Sequence, residues 1–208
     1  PSFIPFNTNK FDANVNYGAT YVSGEFGISD NFRAILGLRA EVYQQRYTGI
    51  NQQRQSLDNE LILDDLDFFP AVNLIYGVNE TQNLRFTFSQ TIARPSFKEA
   101  SFAEIIDPIS GRTFIGGLFR DLDSNGDEVW DGNLTSTKIM NLDLRWEVFQ
   151  KRGQTIAASA FYKNFDRPIE IVQYVQAQNN FQPRNVGTGQ VYGIELEARK
   201  NLDFIGEA

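Results

Sequence analysis

Residues Phe32 to Tyr43, FRAILGLRAEVY, alternate without a break. Phe32, Ala34, Leu36, Leu38, Ala40 and Val42 fall on one side of an extended chain. Arg33, Ile35, Gly37, Arg39, Glu41 and Tyr43 fall on the other. Successive side chains of a strand point to opposite faces, so this segment is a β-strand with one apolar and one largely polar face. Two environments accept it. In a soluble sandwich the apolar face meets a second sheet. In a membrane barrel the apolar face meets lipid and the polar face lines a wet lumen.

The same pattern recurs along the chain. Val15 to Ile28 places Val22, Phe26 and Ile28 with small residues on one face, and Tyr17, Tyr21 and Glu25 on the other. Phe69 to Val78, Asn83 to Ile92, Leu142 to Phe149 and Val191 to Lys200 alternate likewise. Thr155 to Phe165 is also a strand, but its small residues leave the apolar face unassigned. Short turns are expected at Ser29-Asp30-Asn31, at Asn79 to Gln82 and at Gln150 to Gln154, and residues 1–13 read as loop. Long connections are expected at about 48–67, 93–138 and 166–188, with a further strand within the last at Ile169 to Val175. Short and long connections therefore alternate. In an antiparallel meander this puts every short turn at one end and every long loop at the other, an asymmetry typical of membrane barrels. Full charges sit in the middle of the polar faces, among them Arg85, Asp143, Arg145 and Glu197. A solvated outer face would accept these too, so the loop asymmetry is what favours the barrel.

Composition removes several functions. The chain has neither Cys nor His, which excludes disulfides, thiol nucleophiles, the usual general base and most transition-metal sites. A net charge of −7 argues against a nucleic-acid partner. No apolar run is long enough for a membrane-spanning helix, but barrel strands carry only alternating signals. The chain opens at Pro1-Ser2-Phe3 without a secretory leader, so the barrel reading expects an internal piece of a longer protein.

Four motifs carry a resemblance. Asn83 to Phe97 ends in Thr91-Ile92-Ala93-Arg94-Pro95-Ser96-Phe97, and Met140 to Glu147 follows. Then come Phe161-Tyr162-Lys163-Asn164 with Arg167-Pro168-Ile169-Glu170, and Asn185-Val186-Gly187 with Gly193-Ile194-Glu195-Leu196-Glu197-Ala198. Their kind, order and spacing resemble the middle-to-late barrel of TonB-dependent outer-membrane receptors, in a form similar to the Bacteroidetes branch. The resemblance implies an all-β, antiparallel up-and-down meander, with about seven or eight strands of a large transmembrane β-barrel of ~22 strands. It implies that residues 1–208 are part of a receptor whose plug and remaining strands lie elsewhere. Such a receptor sits in the bacterial outer membrane, is no enzyme, and imports a siderophore, glycan or other nutrient with energy from TonB. Its expected partners are outer-membrane lipid, TonB through the plug, the ligand and a surface lipoprotein. The alternative is a soluble or surface-anchored β-sandwich that binds carbohydrate and holds a structural calcium.

One local motif suggests a ligand set. Asp121-Leu122-Asp123-Ser124-Asn125-Gly126-Asp127-Glu128-Val129-Trp130-Asp131 places side-chain oxygens at alternate positions, as a loop wrapping a hard cation does. A register starting at Asp121 uses Asp123 and Asn125 and puts Gly126 at the turn, but its twelfth position is Gly132. A register starting at Asp123 uses Asn125, Asp127 and Asp131, with Glu128 at the turn. Calcium binding of ~10⁻⁴ to 10⁻³ M is the expectation, and a solvated acidic loop tip is the alternative.

The remaining features read blandly. Asp64, Asp65 and Asp67 read as a solvated acidic loop. Gly187, Gly189 and Gly193 have the wrong spacing for a dinucleotide loop. Asn79 and Asn133 begin glycosylation sequons that matter only in a eukaryotic secretory chain. Arg94-Pro95 reads as a strand end. Trp130 and the tyrosines suit stacking on a sugar or siderophore, whereas Trp146 suits a lipid interface. The barrel reading requires Leu36, Leu38, Phe86, Phe88, Leu144, Ile194 and Leu196 to point outward; the sandwich requires them to meet in one core.

Overall fold

A computed structural model describes residues 9–150 and 153–201. The expected loop at residues 1–8 and the 151–152 part of the third turn lie outside them. In chain order the strands are β1 (Asp12–Ser29), β2 (Phe32–Ile50), β3 (Ser56–Asn79), β4 (Gln82–Ala93), β5 (Glu104–Ile106), β6 (Thr113–Ile115), β7 (Asp121–Leu122), β8 (Glu128–Trp130), β9 (Thr137–Gln150), β10 (Gln154–Asp166), β11 (Ile169–Gln173), β12 (Asn180–Asn185) and β13 (Thr188–Arg199).

Seven of these form one antiparallel wall in the order β1-β2-β3-β4-β9-β10-β13. Each strand lies beside the next wall strand in the chain, as in an up-and-down meander. The registers align the apolar rows across the wall. Phe26, Ala34, Leu74, Phe86, Leu144, Ala160 and Ile194 are successive partners, and Gly24, Leu36, Val72, Phe88, Leu142, Tyr162 and Tyr192 form the neighbouring row. Among the described residues no second sheet packs on these rows. Leu36 and Leu38 are each 45% exposed and Leu144 46%, although all three have strands on both sides. The apolar side chains therefore form an outer belt rather than a shared core. From Phe32 to Val42 this belt runs ten steps of about 3.3 Å along a strand; tilted by roughly 40°, that is about 25 Å, the height of a hydrocarbon band. Trp146 and Tyr76 stand at the short-turn margin of the belt, where Trp146 Nε1 donates to Gln82 Oε1 at 3.2 Å.

The opposite face holds the ions. Near the short turns, Arg145 pairs with Glu147 (2.8 Å) and Glu197 (2.8 Å), and Arg145 Nη1 donates to Ser159 Oγ. Arg85 lies 2.9 Å from the other Glu147 oxygen, an ion pair by distance. The structure also resolves the β10 ambiguity. Ile156, Ala158, Ala160 and Tyr162 share rows with the outer belt, whereas Ala157, Ser159 and Phe161 face inward. The Phe161 ring covers Gly193 on β13, where a Cβ would lie 2.8 Å from it.

One expected boundary differs. Residues 48–67, read as a long loop, are strand except at 51–55, because β2 and β3 run on together as a hairpin beyond the end of β4. The other two long connections, 94–136 and 167–187, carry structure of their own. β11, β12, β6 and β5 form a second sheet in that order, and β7 pairs with β8. Most buried apolar residues lie here and on the adjoining hairpin: Tyr47, Ala100, Ala103, Ile115, Phe119 and Leu134. Phe11, Tyr47, Phe102 and Phe119 make a continuous series of ring contacts at 5.3, 5.7 and 5.6 Å. Gly116 sits where this cap is tightest, since a Cβ there would meet the Ser101 carbonyl oxygen at 2.0 Å. Gly116→Ala is expected to weaken cap docking by about 1–3 kcal/mol, leaving the wall intact. Trypsin should then cut at Arg112 and Arg120 faster than in the parent protein; an unchanged rate would contradict the packing described.

Candidate functional site

The site lies on the inner face at the long-loop end, around Arg94. β4 ends at Ala93, and Pro95 follows, whose missing N–H cannot continue a ladder. Along β4 the inward residues are odd-numbered, so a continued strand would send Arg94 outward. Breaking the strand releases it. Ser96 and Glu99 then close a tight turn, with Glu99 Oε2 accepting from the Ser96 amide (2.7 Å) and Ser96 Oγ from the Glu99 amide (3.3 Å). This is the reciprocal arrangement of a capping box.

Arg94 turns inward and meets groups from β2 and β3. Its Nη1 lies 2.9 Å from Glu41 and its Nη2 3.5 Å from Asp67. Its guanidinium stacks on Tyr43, 4.5 Å from the ring centroid. Glu41 Oε1 also accepts from Arg39 Nε (2.6 Å) and from the Tyr17 hydroxyl (2.9 Å), and Lys138 Nζ approaches Asp67 at 3.5 Å. The carboxylates are the buried members: Glu41 and Asp67 side chains are 10% and 6% exposed. Two buried donors, Arg94 Nε and Gln45 Nε2, have no hydrogen-bond partner among the described residues. A cavity of about 540 Å³ opens beside Arg94, lined also by Glu99, Ile139, Phe165, Ile169 and Glu170, within the size range of small-molecule sites.

The cap over this face is tied down by polar side chains. Gln182 Nε2 donates to the carbonyls of Gly116 (2.9 Å) and Phe119 (2.8 Å), and Arg184 donates to Gln182 Oε1 (2.9 Å) and Asp121 (2.6 Å). Tyr174 lies under the Arg184 guanidinium, and burial pushes its phenol pKa up. Asn185 joins the two long connections, donating to Thr135 O and Arg167 O and accepting from the Thr135 amide.

A protein-family profile described as TonB dependent receptor-like, beta-barrel, matches residues 1–207. The chain belongs to this family. Membership places it in the wall of a bacterial outer-membrane barrel, among receptors rather than enzymes, and sets the sandwich aside. Solved receptors share the fold. The hemophore receptor HasR of Serratia marcescens, solved with its hemophore and heme, is 13% identical with a TM-score of 0.66, over 89% of this chain and 32% of that one. The copper transporter OprC is 16% identical with a TM-score of 0.64, over 92% and 27%. The alcaligin receptor FauA of Bordetella pertussis is 17% identical with a TM-score of 0.55, over 92% and 28%. The chain thus spans about a third or less of these receptors. No curated protein matches it.

In the family's orientation the short turns are periplasmic and the cap is extracellular. The residues read as a calcium loop lie in this cap, and the structure does not assemble them. Asp121 is held by Arg184. Asp123 Oδ1 accepts from the Asn125 and Asp127 amides, both at 2.8 Å, which closes the β7–β8 turn around Gly126 at φ +86°. Asn125 and Asp127 stay exposed, and Asp131 accepts from the Asn133 amide. Among the described residues no three acidic side chains cluster as a metal site. Trp130 is fixed by its Nε1, which donates to Gly117 O at 2.7 Å, and so is held within the cap. Asp65 and Asp67, read as solvated loop acids, instead hold Ser136 (2.6 Å) and Arg94. Sequence reasoning missed Arg94 as the centre of the inner network; the capping-box spacing Ser96-x-x-Glu99 directly after Arg94-Pro95 was the available signal.

Proposed function

We propose that the chain supplies part of the wall and of the extracellular vestibule of a receptor that binds a nutrient outside the cell and imports it with energy from TonB. The observation that carries this is the arrangement around Arg94. A cavity lined by Arg94, Glu99, Glu170, Phe165 and Ile169 lies on the inner face of the wall, directly beneath a folded cap. Charged side chains set among apolar ones in one cavity suit a polar ligand such as a metal chelate or a glycan. A copper transporter and receptors for alcaligin and a hemophore are among its structural neighbours, which supports nutrient uptake without selecting the nutrient. TonB, acting through a plug, and a surface lipoprotein are the proposed partners.

Residues 1–208 hold no cysteine, so a single introduced thiol is unique within this part of the wall, and any cysteine elsewhere in the full-length receptor is first replaced by serine. Leu36→Cys and Leu144→Cys are expected to react in intact outer membranes with a lipid-soluble maleimide and resist a charged one, and Thr87→Cys to do the reverse. Uptake of labelled ferric siderophores and oligosaccharides is expected to stop for one of them when TonB is deleted. Equal accumulation with and without TonB across the panel would overturn the import reading.

A further inference from the structure

β3 is paired unevenly. It bonds with β2 along nearly its whole length, from Ile50–Ser56 to Phe32–Tyr76, but with β4 only from Ala71 to Asn79. Ser56 to Pro70 therefore have a strand on one side and, among the described residues, none on the other. Pro70 marks the parting point, and a residue without an N–H suits a position where one ladder stops. Two register shifts in the β2–β3 ladder, at Gln45/Arg46 and Tyr47/Gly49, add local twist above it. A cavity of about 450 Å³ opens there between Phe68 and Phe69 of β3, Gln90 of β4 and Met140 of β9. This edge is not an end of the sheet. It lies between the third and fourth strands of the wall, so strands added beyond β1 or β13 leave it uncovered.

The free edge is exposed and acidic. Asp58, Glu60 and Asp64 are exposed and have no ion pair among the described residues. The guanidinium of Arg46, on the paired strand β2, donates to the Asn59 carbonyl. Natural edges are usually blunted by lysine or cover; here unpaired amides and carbonyls are flanked by carboxylates instead. We infer that Ser56–Leu66 is a docking edge for an extended, lysine- or arginine-bearing segment of another polypeptide, added as a strand to β3 outside the membrane. Backbone bonds hold such a strand and its basic side chains meet the carboxylates. A second copy of this chain fits poorly, because antiparallel pairing of two β3 edges sets carboxylate against carboxylate. The inference does not depend on what the receptor imports.

Hydrogen–deuterium exchange on the full-length receptor in nanodiscs tests it, with a nonapeptide of alternating lysine and valine as probe. In the receptor alone, roughly half the amides of 56–66, those pointing away from β2, should exchange fast. The probe at millimolar concentration should slow these at least tenfold, and an aspartate–valine peptide should not. The triple variant Asp58→Asn, Glu60→Gln, Asp64→Asn should weaken the response at least tenfold. Full protection of 56–66 before any probe is added would overturn the proposal. So would equal protection by the acidic peptide, no protection by the basic one, or protection that appears on concentrating the receptor by itself.

Discussion

Replacing Leu144 by arginine is expected to destabilise the receptor barrel by about 1–3 kcal/mol, between the midplane and interface costs of a cation, because Leu144 lies one row inside the short-turn margin of the lipid-facing belt. Leu144 pairs laterally with Phe86 and Ala160, and the rows on either side hold Leu84 with Trp146 and Phe88 with Leu142. The charge therefore has apolar neighbours in every direction along the wall. Thr87→Arg is the control. It lies one residue from Phe86 on the inner face, with Asn73 and Asp143 as its cross-strand partners. A cation there meets water and a carboxylate, so the expected cost is below about 1 kcal/mol. Urea titrations of the full-length receptor folded into lipid vesicles, followed by tryptophan fluorescence, compare the two. Equal costs would mean that the belt does not face lipid, and the outward assignment of the wall would fall with it.

That assignment was legible in the sequence because it depends on one physical contrast. Where one face of a strand meets lipid and the other water, residues alternate strictly, and Phe32 to Val42 or Leu84 to Phe88 can be read directly. The same rule fails where the contrast disappears. Above the membrane β2 and β3 no longer meet lipid: Gln45, Tyr47 and Leu63 are buried while Asp58, Glu60 and Asp64 stay in water, so polar and apolar residues do not alternate strictly and the segment reads as loop. On β10 the fault is different. Alanines occupy both faces, and Phe161 points inward to cover Gly193, so apolar character does not mark the lipid side. The acidic stretch from Asp121 to Asp131 shows a third limit. Alternate oxygen side chains serve a cation loop or a hairpin turn equally well, and only the partners decide. Here Arg184 and the backbone amides of Asn125 and Asp127 take those oxygens. Arg94 was hidden by parity itself, because its number places it outward until the strand break at Pro95 turns it in.

Removing that side chain is the second large perturbation. In Arg94→Ala, Glu41 and Asp67 lose the cation between them while remaining 10% and 6% exposed. Removing one partner of a buried pair leaves an uncompensated charge and costs about 3–5 kcal/mol. Arg39 and Lys138 stay in contact with the two carboxylates, but their side chains are 42% and 62% exposed and well screened. We therefore expect a loss of about 2–4 kcal/mol. Arg94→Lys should fall between parent and alanine, since an ammonium keeps the charge but loses both the fork that reaches two carboxylates and the stacking on Tyr43. Glu41→Gln in the alanine background should recover part of the loss, because it removes a charge that no longer has its partner. Because Arg94 also fixes the chain where it leaves the wall for the cap, trypsin should cut within 94–136 before the barrel unfolds. A change within about 0.5 kcal/mol for Arg94→Ala, the range of ordinary surface substitutions, would show that the inner network does not hold cap to wall.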